Sequence, residues 1–375
     1  MRSPGIIRAA PIWVRTASAR YPVWVGGGLL RQAGRRLKRL RPGCRQLFVV
    51  SSPRVWALWG TELAPGVRSA GLRLQALMMD DREEGKRLST VEQLAGELLR
   101  RGADRGAVLA ALGGGVVGDV TGFLAASYMR GVAYLQIPTT LVGQIDSAIG
   151  GKTGVNLRGG KNLLGAFHQP LAVLVDPRTL ETLSAREYRA GLYEVVKCAV
   201  IGDPGLFQFL EKNLKAVLAR EPRALRTVLE RSIRLKAGIV SRDEREQNLR
   251  RVLNLGHTVG HALETLSDYR GLRHGEAVGW GMIAATRLAA RLGRLAPTTA
   301  ERIVALAGAM GRLPDLPRLP AERLYAQLFA DKKKQDGELR FVLPRGIGRV
   351  EVAGGLPRAT VLAALRDLIR AASTR

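Results

Sequence analysis

The chain has 375 residues, enough for two domains of roughly 100–200 residues each. At 46% hydrophobic and 24% charged residues it has globular proportions, which excludes disorder as the dominant state. The 59 Lys and Arg outnumber the 32 Asp and Glu, and the resulting +27 keeps anionic partners in view: phosphorylated metabolites, nucleic acid or acidic lipid.

Two cysteines, Cys44 and Cys198, can build neither a disulfide framework nor a Cys-based zinc cluster, so the chain reads as a reduced, cytoplasmic protein. No apolar run reaches the roughly 20 residues of a membrane span, and no secretory signal is visible. Residues 1–61 hold twelve Lys and Arg and no acid; Glu62 is the first carboxylate. A transit peptide or a nucleic-acid-binding arm would also open this way. Against both, Ala10–Arg15 and Tyr21–Val25 are built of β-formers, and Arg31–Arg41 reads as a solvated helix face. The basic residues also come without aromatic interleaving. Neither a nucleic acid nor a membrane is expected as partner.

From there the chain alternates. Leu47–Ser51, Ala107–Leu112, Tyr134–Ile137 and Val173–Val175 read as strands, and Val91–Arg101 as a helix closed by Gly102. Strands alternating with helices predict a Rossmann-like α/β domain with a parallel sheet, here residues 1–180. Ala107–Leu112 runs into Gly113-Gly114-Gly115-Val116-Val117-Gly118-Asp119 and then a helical pattern. Strand, glycine turn and helix can lay a pyrophosphate against free backbone N–H groups. The usual ribose carboxylate about 20 residues on is missing, because the next acid after Asp119 is Asp146.

A second constellation follows: Pro138-Thr139-Thr140, then Asp146 to Asn156 with Gly150-Gly151-Lys152, then Gly160-Lys161-Asn162. Hydroxyls, glycines and lysines with little apolar content predict a loop wrapping anionic oxygens. The phosphate-loop pattern G-x-x-x-x-G-K-[ST] fails, since Asp146 stands where its first glycine belongs.

Beyond residue 180 the texture is helical: Ala185–Val200, Asp203–Leu218, Pro222–Val240, Leu253–Leu266 and Glu276–Leu292 carry apolar residues at three-to-four spacing, with strand character returning at Leu339–Leu343. Residues 181–375 are therefore expected to form a mostly α-helical domain. Of four histidines, His257, His261 and His274 fall within eighteen residues. His257 and His261 share one helical face and suggest a zinc pair, with His274 returning on a loop. Glu194 lies among apolar residues on a helix, so a metal or Lys197 must satisfy its carboxylate.

These segments together resemble the 3-dehydroquinate synthase family of sugar-phosphate cyclases. The likeness runs through Asp81–Lys86, Ala111–Asp119, Tyr128–Gly131, Pro138–Pro170, Gly191–Lys197, Arg250–Glu264, His274–Val278 and Asp331–Gly348. The run Leu253-Asn254-Leu255-Gly256-His257-Thr258-Val259-Gly260-His261-Ala262-Leu263-Glu264 is its most specific part. The resemblance implies an N-terminal domain for NAD, a C-terminal domain for metal and substrate, and catalysis in the cleft between them. It places Zn2+ (or Co2+) on Glu194, His257 and His274, and gives His261 a substrate role instead. It assigns NAD to Asp81, Glu83, Lys86, the turn Gly114-Gly115-Val116-Val117-Gly118-Asp119, Thr139, Thr140, Lys152, Lys161, Thr179, Leu180 and Thr182. It assigns the substrate, a phosphorylated sugar acid, to Asp146, Lys152, Asn162, Lys197, Lys236, Arg250, Asn254, His261 and Lys332. It also implies a homodimer in which Arg130 reaches across. The turn Ser51-Ser52-Pro53 departs from the family's usual Asp or Asn there. The implied reaction is transient oxidation, phosphate elimination, re-reduction and intramolecular aldol closure. A sister cyclase of the 2-deoxy-scyllo-inosose synthase kind and a metal-dependent polyol-phosphate dehydrogenase are the rival expectations.

Overall fold

Aliphatic runs punctuated by glycine and proline give the first part of the chain its alternation, as seen in a computed structural model that describes residues 10–267, 271–316, 319–332 and 339–373. In order they are β1 (Ile12–Arg15), β2 (Arg20–Val25), α1 (Leu29–Leu40), β3 (Gln46–Ser51), α2 (Pro53–Arg68), β4 (Arg73–Met78), α3 (Leu88–Arg100), β5 (Val108–Gly113), α4 (Gly115–Ser127), β6 (Ala133–Pro138), β7 (Lys152–Leu157), β8 (Gly160–Phe167) and β9 (Ala172–Val175). Seven strands form one sheet in the order β1-β2-β9-β6-β5-β3-β4, parallel throughout except for the β1–β2 edge pair. Successive residues of β3 and β5 feed opposite faces. Phe48, Val50, Leu109 and Ala111 pack under Leu94 and Leu98 of α3 and Val120 and Leu124 of α4. Leu47, Val49, Val108 and Ala110 pack under Leu30 and Leu37 of α1 and Leu63 and Val67 of α2. Both faces are covered, which explains why β5 is buried at every position and reads as an unbroken apolar run.

From β3 the chain steps to β4 on one side and then crosses to β5 on the other. Such a reversal of strand order opens a crevice at the carboxyl ends of the two strands, the position where α/β sheets take ligands.

The remaining elements are α5 (Ala185–Gly202), α6 (Pro204–Leu218), α7 (Pro222–Arg242), α8 (His257–Leu266), α9 (His274–Arg291), α10 (Pro297–Ala309), α11 (Ala321–Lys332), the antiparallel pair β10 (Phe341–Gly346) and β11 (Arg349–Ala353), and α12 (Arg358–Ser373). The chain divides into two compact units: residues to 184 with 236–245, and 185–235 with 246 onward. Helix α7 thus gives its residues from Lys236 to the first unit. No helix among the described residues is long and apolar enough to cross a membrane.

In the second unit α9 is buried along nearly its whole length. It achieves this through glycine. A Cβ on Gly275 would lie 1.9 Å from the Ala190 carbonyl oxygen of α5, and one on Gly281 would lie 1.9 Å from that of Gly256. Backbone therefore meets backbone on both sides of α9. Tyr193 and Trp280 extend the packing by hydrogen bonds to the Gly311 and Pro314 carbonyls, at 3.1 and 2.9 Å.

Three expectations change. The stretch from Lys152 to Phe167 is an antiparallel hairpin, β7–β8, where a loop was expected. Thr153, Gly154 and Val155 are buried, and that burial outweighs the polar composition. His274 opens α9 directly and is not on a loop. Leu253 lies in a 3-10 turn, Leu249–Asn254, and the helix starts only after Gly256, whose φ of +83° breaks the pattern. The edge strand β4 and helices α2, α10, α11 and α12 carried no reading from the sequence.

Gly275→Ala is expected to destabilise the protein by about 1–3 kcal/mol through overpacking of α9 against α5. Gly96→Ala, mid-helix with open space around it, is expected to stabilise it by about 0.5–1 kcal/mol. Thermal unfolding followed by circular dichroism reads both.

Candidate functional site

The glycine turn sits where the strand order reverses. Gly114 caps α4 in extended conformation, so the first turn of α4 presents its N–H groups at the end of β5. A Cβ on Gly118 would come 2.9 Å from the Gln136 side chain on β6, which makes glycine the residue that lets α4 lie against the sheet. Thr139 and Thr140 follow β6, Asp81 follows β4, and Thr179 follows β9; all lie just past carboxyl ends of strands. Gln144, fully buried, donates from Nε2 to the Pro138 and Asp176 carbonyls and to Thr179 Oγ1, at 3.2, 3.1 and 2.9 Å, tying these segments together. Leu180 is buried, and Thr182 Oγ1 accepts a hydrogen bond from Trp59 Nε1 at 3.1 Å. Ser52 Oγ, which caps α2, also donates to Asp81 Oδ2 at 2.7 Å. The departure at Ser51-Ser52-Pro53 thus supplies a hydroxyl that holds Asp81.

The β7–β8 hairpin is fastened to this region by polar contacts. Lys86, 5% exposed, donates to Asp119 Oδ2 and to Asn162 Oδ1. Asn156 donates from its side chain to Glu83 Oε1 at 2.8 Å, and Asn156 Oδ1 accepts from the Asn162 backbone N–H at 2.9 Å. Lys161 lies 3.6 Å from the same Glu83 oxygen. Burial pushes the Asp119 carboxyl above its usual range, against the opposing charge of Lys86. Asn162 sits at φ +56°, and Lys152 is exposed at the first position of β7. Asp146 forms an ion pair with Lys236 Nζ, and Lys236 is only 7% exposed. Of the sequence-derived residues, the first unit therefore brings together Glu83, Lys86, Asp119, Lys161 and Asn162, and separately Asp146 with Lys236. Arg130 is exposed in a short turn, at φ +67°.

The second unit gathers the histidines. Glu194 and Lys197, one helical turn apart on α5, are 0% and 1% exposed and form an ion pair. The Glu194 Oε1 atom lies 3.8 Å from His257 Nε2 on α8 and 3.4 Å from His274 Nε2 on α9. These three residues offer ligand atoms all within 4.8 Å of one another. A tetrahedral zinc with ligand bonds of about 2.0–2.1 Å separates its ligands by roughly 3.4 Å. One carboxylate and two imidazoles with a fourth direction open is also the donor set of catalytic zinc sites, so the residues fit such an ion. Burial lowers the His257 pKa well below the usual imidazole value, and the Lys197 charge adds to this. Burial also pulls on His274, but that ring is 38% exposed, and its hydrogen bonds to Glu194 and Glu264 lift it to about 10.

His261, exposed on α8, is not in the Glu194 group; it groups with Glu264 and His274. The imidazole pair on one helix face is real as geometry, with His257 and His261 ring centroids 5.3 Å apart. Arg250 is 2% exposed, and Asn254 donates to Glu246 Oε1 at 2.9 Å. The Lys332 side chain lies outside the described residues. His168, the remaining histidine, stacks on Tyr134 in the other unit. Sequence reasoning passed over Glu264 and Glu246. Glu264 had a signal, since it stands one turn past His261 in the same motif.

An α/β unit with a glycine turn at its strand reversal and a helical unit with an acid–imidazole group are shared in fold with solved sugar-phosphate cyclases. The structure is similar to 2-epi-5-epi-valiolone synthase from Streptomyces hygroscopicus subsp. jinggangensis 5008 with NAD+ and Zn2+ bound, at 32% identity and TM-score 0.85, covering 99% of this chain and 100% of that one. It is also similar to 2-deoxy-scyllo-inosose synthase complexed with carbaglucose-6-phosphate, NAD+ and Co2+, at 27% identity and TM-score 0.87, covering 96% and 100%. Within that class the chain belongs to the 3-dehydroquinate synthase family: the family's N-terminal model matches residues 76–190 and its C-terminal model residues 191–334. A 3-dehydroquinate synthase of Koribacter versatilis (strain Ellin345) is 44% identical over 355 residues, 95% of this chain and 97% of that protein.

In chelator-treated protein, Lys197→Met is expected to cost about 3–5 kcal/mol, because Glu194 loses its buried ammonium partner. The double variant Glu194→Leu/Lys197→Met should recover most of that loss. Urea denaturation of the three proteins checks both.

Proposed function

We propose that the chain is a 3-dehydroquinate synthase, converting 3-deoxy-D-arabino-heptulosonate 7-phosphate to 3-dehydroquinate and phosphate in the shikimate pathway. The observation carrying this reading is the convergence of Glu194, His257 and His274 in a chain whose curated relatives bear that name. When bound, NAD takes and returns one hydride, and a zinc or cobalt ion on the three ligands polarises the oxygen at the carbon that changes oxidation state. The turn Gly114–Asp119, with Asp81, Glu83, Lys86, Thr139, Thr140, Lys161 and Thr179 to Thr182, would hold the nucleotide. That makes residues 1–180 its domain and 181–375 the metal and substrate domain, with Lys236 contributed from α7.

The substrate carries a carboxylate and a phosphate. Lys152, Lys197, Lys236, Arg250 and Lys332 are the cations for these groups, joined by Asp146, Asn162, Asn254 and His261. Charge-assisted bonds to such anions are stronger than neutral ones. Three of the cations, Lys197, Lys236 and Arg250, are already withdrawn from water, at 1%, 7% and 2% exposure. Their desolvation is met by folding, so a bound anion need not supply it. Holding the two ends of an opened substrate near each other lowers the barrier to intramolecular closure by restricting their freedom. The reading includes a cytoplasmic homodimer in which the exposed Arg130 serves the neighbouring subunit.

Incubation of the protein with the heptulosonate phosphate, zinc and trace NAD should release phosphate without accumulation of NADH. Parallel arms with glucose 6-phosphate and sedoheptulose 7-phosphate test the sister cyclase activities. Net NADH formation without phosphate release would replace this reading with a dehydrogenase. Glu194→Ala or His274→Ala is expected to abolish turnover, and Lys152→Ala to lower kcat/KM by about 2 kcal/mol or more of transition-state binding.

A further inference from the structure

His274 has an acid at each ring nitrogen. Its Nε2 lies 3.4 Å from Glu194 Oε1, and its Nδ1 lies 3.3 Å from Glu264 Oε2. Glu264 is a residue of α8 with only 6% of its surface exposed, two turns along from His257. His257 shows the same polarity with a different partner: Nε2 towards Glu194 at 3.8 Å, and Nδ1 at 3.3 Å from the Leu255 carbonyl oxygen. Both imidazoles therefore have Nδ1 against an acceptor and Nε2 towards the buried carboxylate.

A neutral imidazole has one N–H and one lone pair. A ring that gives its Nε2 lone pair to a cation must carry its proton on Nδ1, and that proton needs an acceptor. The Leu255 carbonyl serves His257. For His274 we propose that Glu264 is a positioning residue: its carboxylate accepts the Nδ1 proton and so fixes the ring with Nε2 turned to the cation. Carboxylates in this place orient ligand imidazoles and raise their basicity. The competing use of Glu264, as a ligand with His261 and His274 for a second cation, would put cations on both nitrogens of one ring. That demands displacement of the remaining Nδ1 proton by the second cation, a cost that orientation by Glu264 does not carry. The chemistry of the ring favours orientation over ligation.

The inference rests on the metal reading of Glu194, His257 and His274, and the test separates the two. Zinc affinity is measured by competition with a chromophoric chelator for wild type, Glu194→Ala, Glu264→Ala and Glu264→Gln, alongside the visible absorption of the cobalt-loaded proteins. Wild type is expected to bind one equivalent, and Glu194→Ala to lose it. Glu264→Ala should weaken binding by about 10–100-fold and alter the cobalt spectrum. Glu264→Gln, whose amide oxygen still accepts the Nδ1 proton, should restore the spectrum and most of the affinity. Should Glu264→Ala fail to fold, judged by circular dichroism, Glu264→Leu replaces it with closer volume. Equal affinity and an unchanged spectrum across the Glu264 variants overturn the positioning role alone. Two equivalents in wild type that fall to one in Glu264→Gln overturn it in favour of a ligand. Wild type and Glu194→Ala binding alike overturn the metal reading beneath it.

Discussion

A carboxylate held entirely out of water needs positive charge beside it, and Glu194 is the residue on which the second unit turns. It lies on α5 with none of its surface exposed, and the charge comes from Lys197 on its own helix and His274 on α9, with the His257 ring of α8 also close by. The arrangement tolerates little movement, because a buried acid separated from its partners costs several kcal/mol. The backbone contact of Gly275 with Ala190 fixes the distance between α5 and α9 at the residue next to His274. Steric and electrostatic requirements thus act on the same few ångströms of helix.

The first unit solves a different problem. Its sheet is covered on both faces and is largely apolar, with Gln136 a buried exception, so most polar groups collect past the carboxyl ends of the strands. There the N–H groups of α4 point outward, Gln144 ties the β6 and β9 ends, and the β7–β8 hairpin stands alongside. The sheet supplies rigidity, and the loops supply chemistry.

Strongly patterned parts of this structure were readable from residues alone. The central strands β3, β5, β6 and β9 are apolar because both sides are buried, and α3 ends at Gly102, at φ +71°, as its sequence suggests. The four-residue spacing of His257 and His261 correctly puts them on one helix face, yet it says nothing of their partners, because which imidazole meets Glu194 of α5 depends on how α5 and α8 both pack against α9. Spacing along a helix carries no information on crossings. The hairpin reads as loop because lysines, asparagines and glycines dominate it, whereas Thr153 and Val155 of β7 itself are buried. Edge strand β4, only half buried, has too little contrast between its faces to stand out. The glycine turn, the histidine cluster and Glu194 stand out as patterns, whereas the choice of His257 with His274 over His261 and the remaining proposed nucleotide contacts come from the resemblance.

The contacts that fasten the hairpin also limit how this chain can drift over evolutionary time. Lys86 serves Asp119 and Asn162 at once, and Asn156 reaches both Glu83 and the Asn162 backbone. Replacing Lys86 alone would leave the largely buried Asp119 carboxylate without its ammonium partner. These positions, spread from 83 to 162 along the chain, are therefore coupled: a change at one alters what its neighbours must bond to, whatever ligand the crevice is called on to accept.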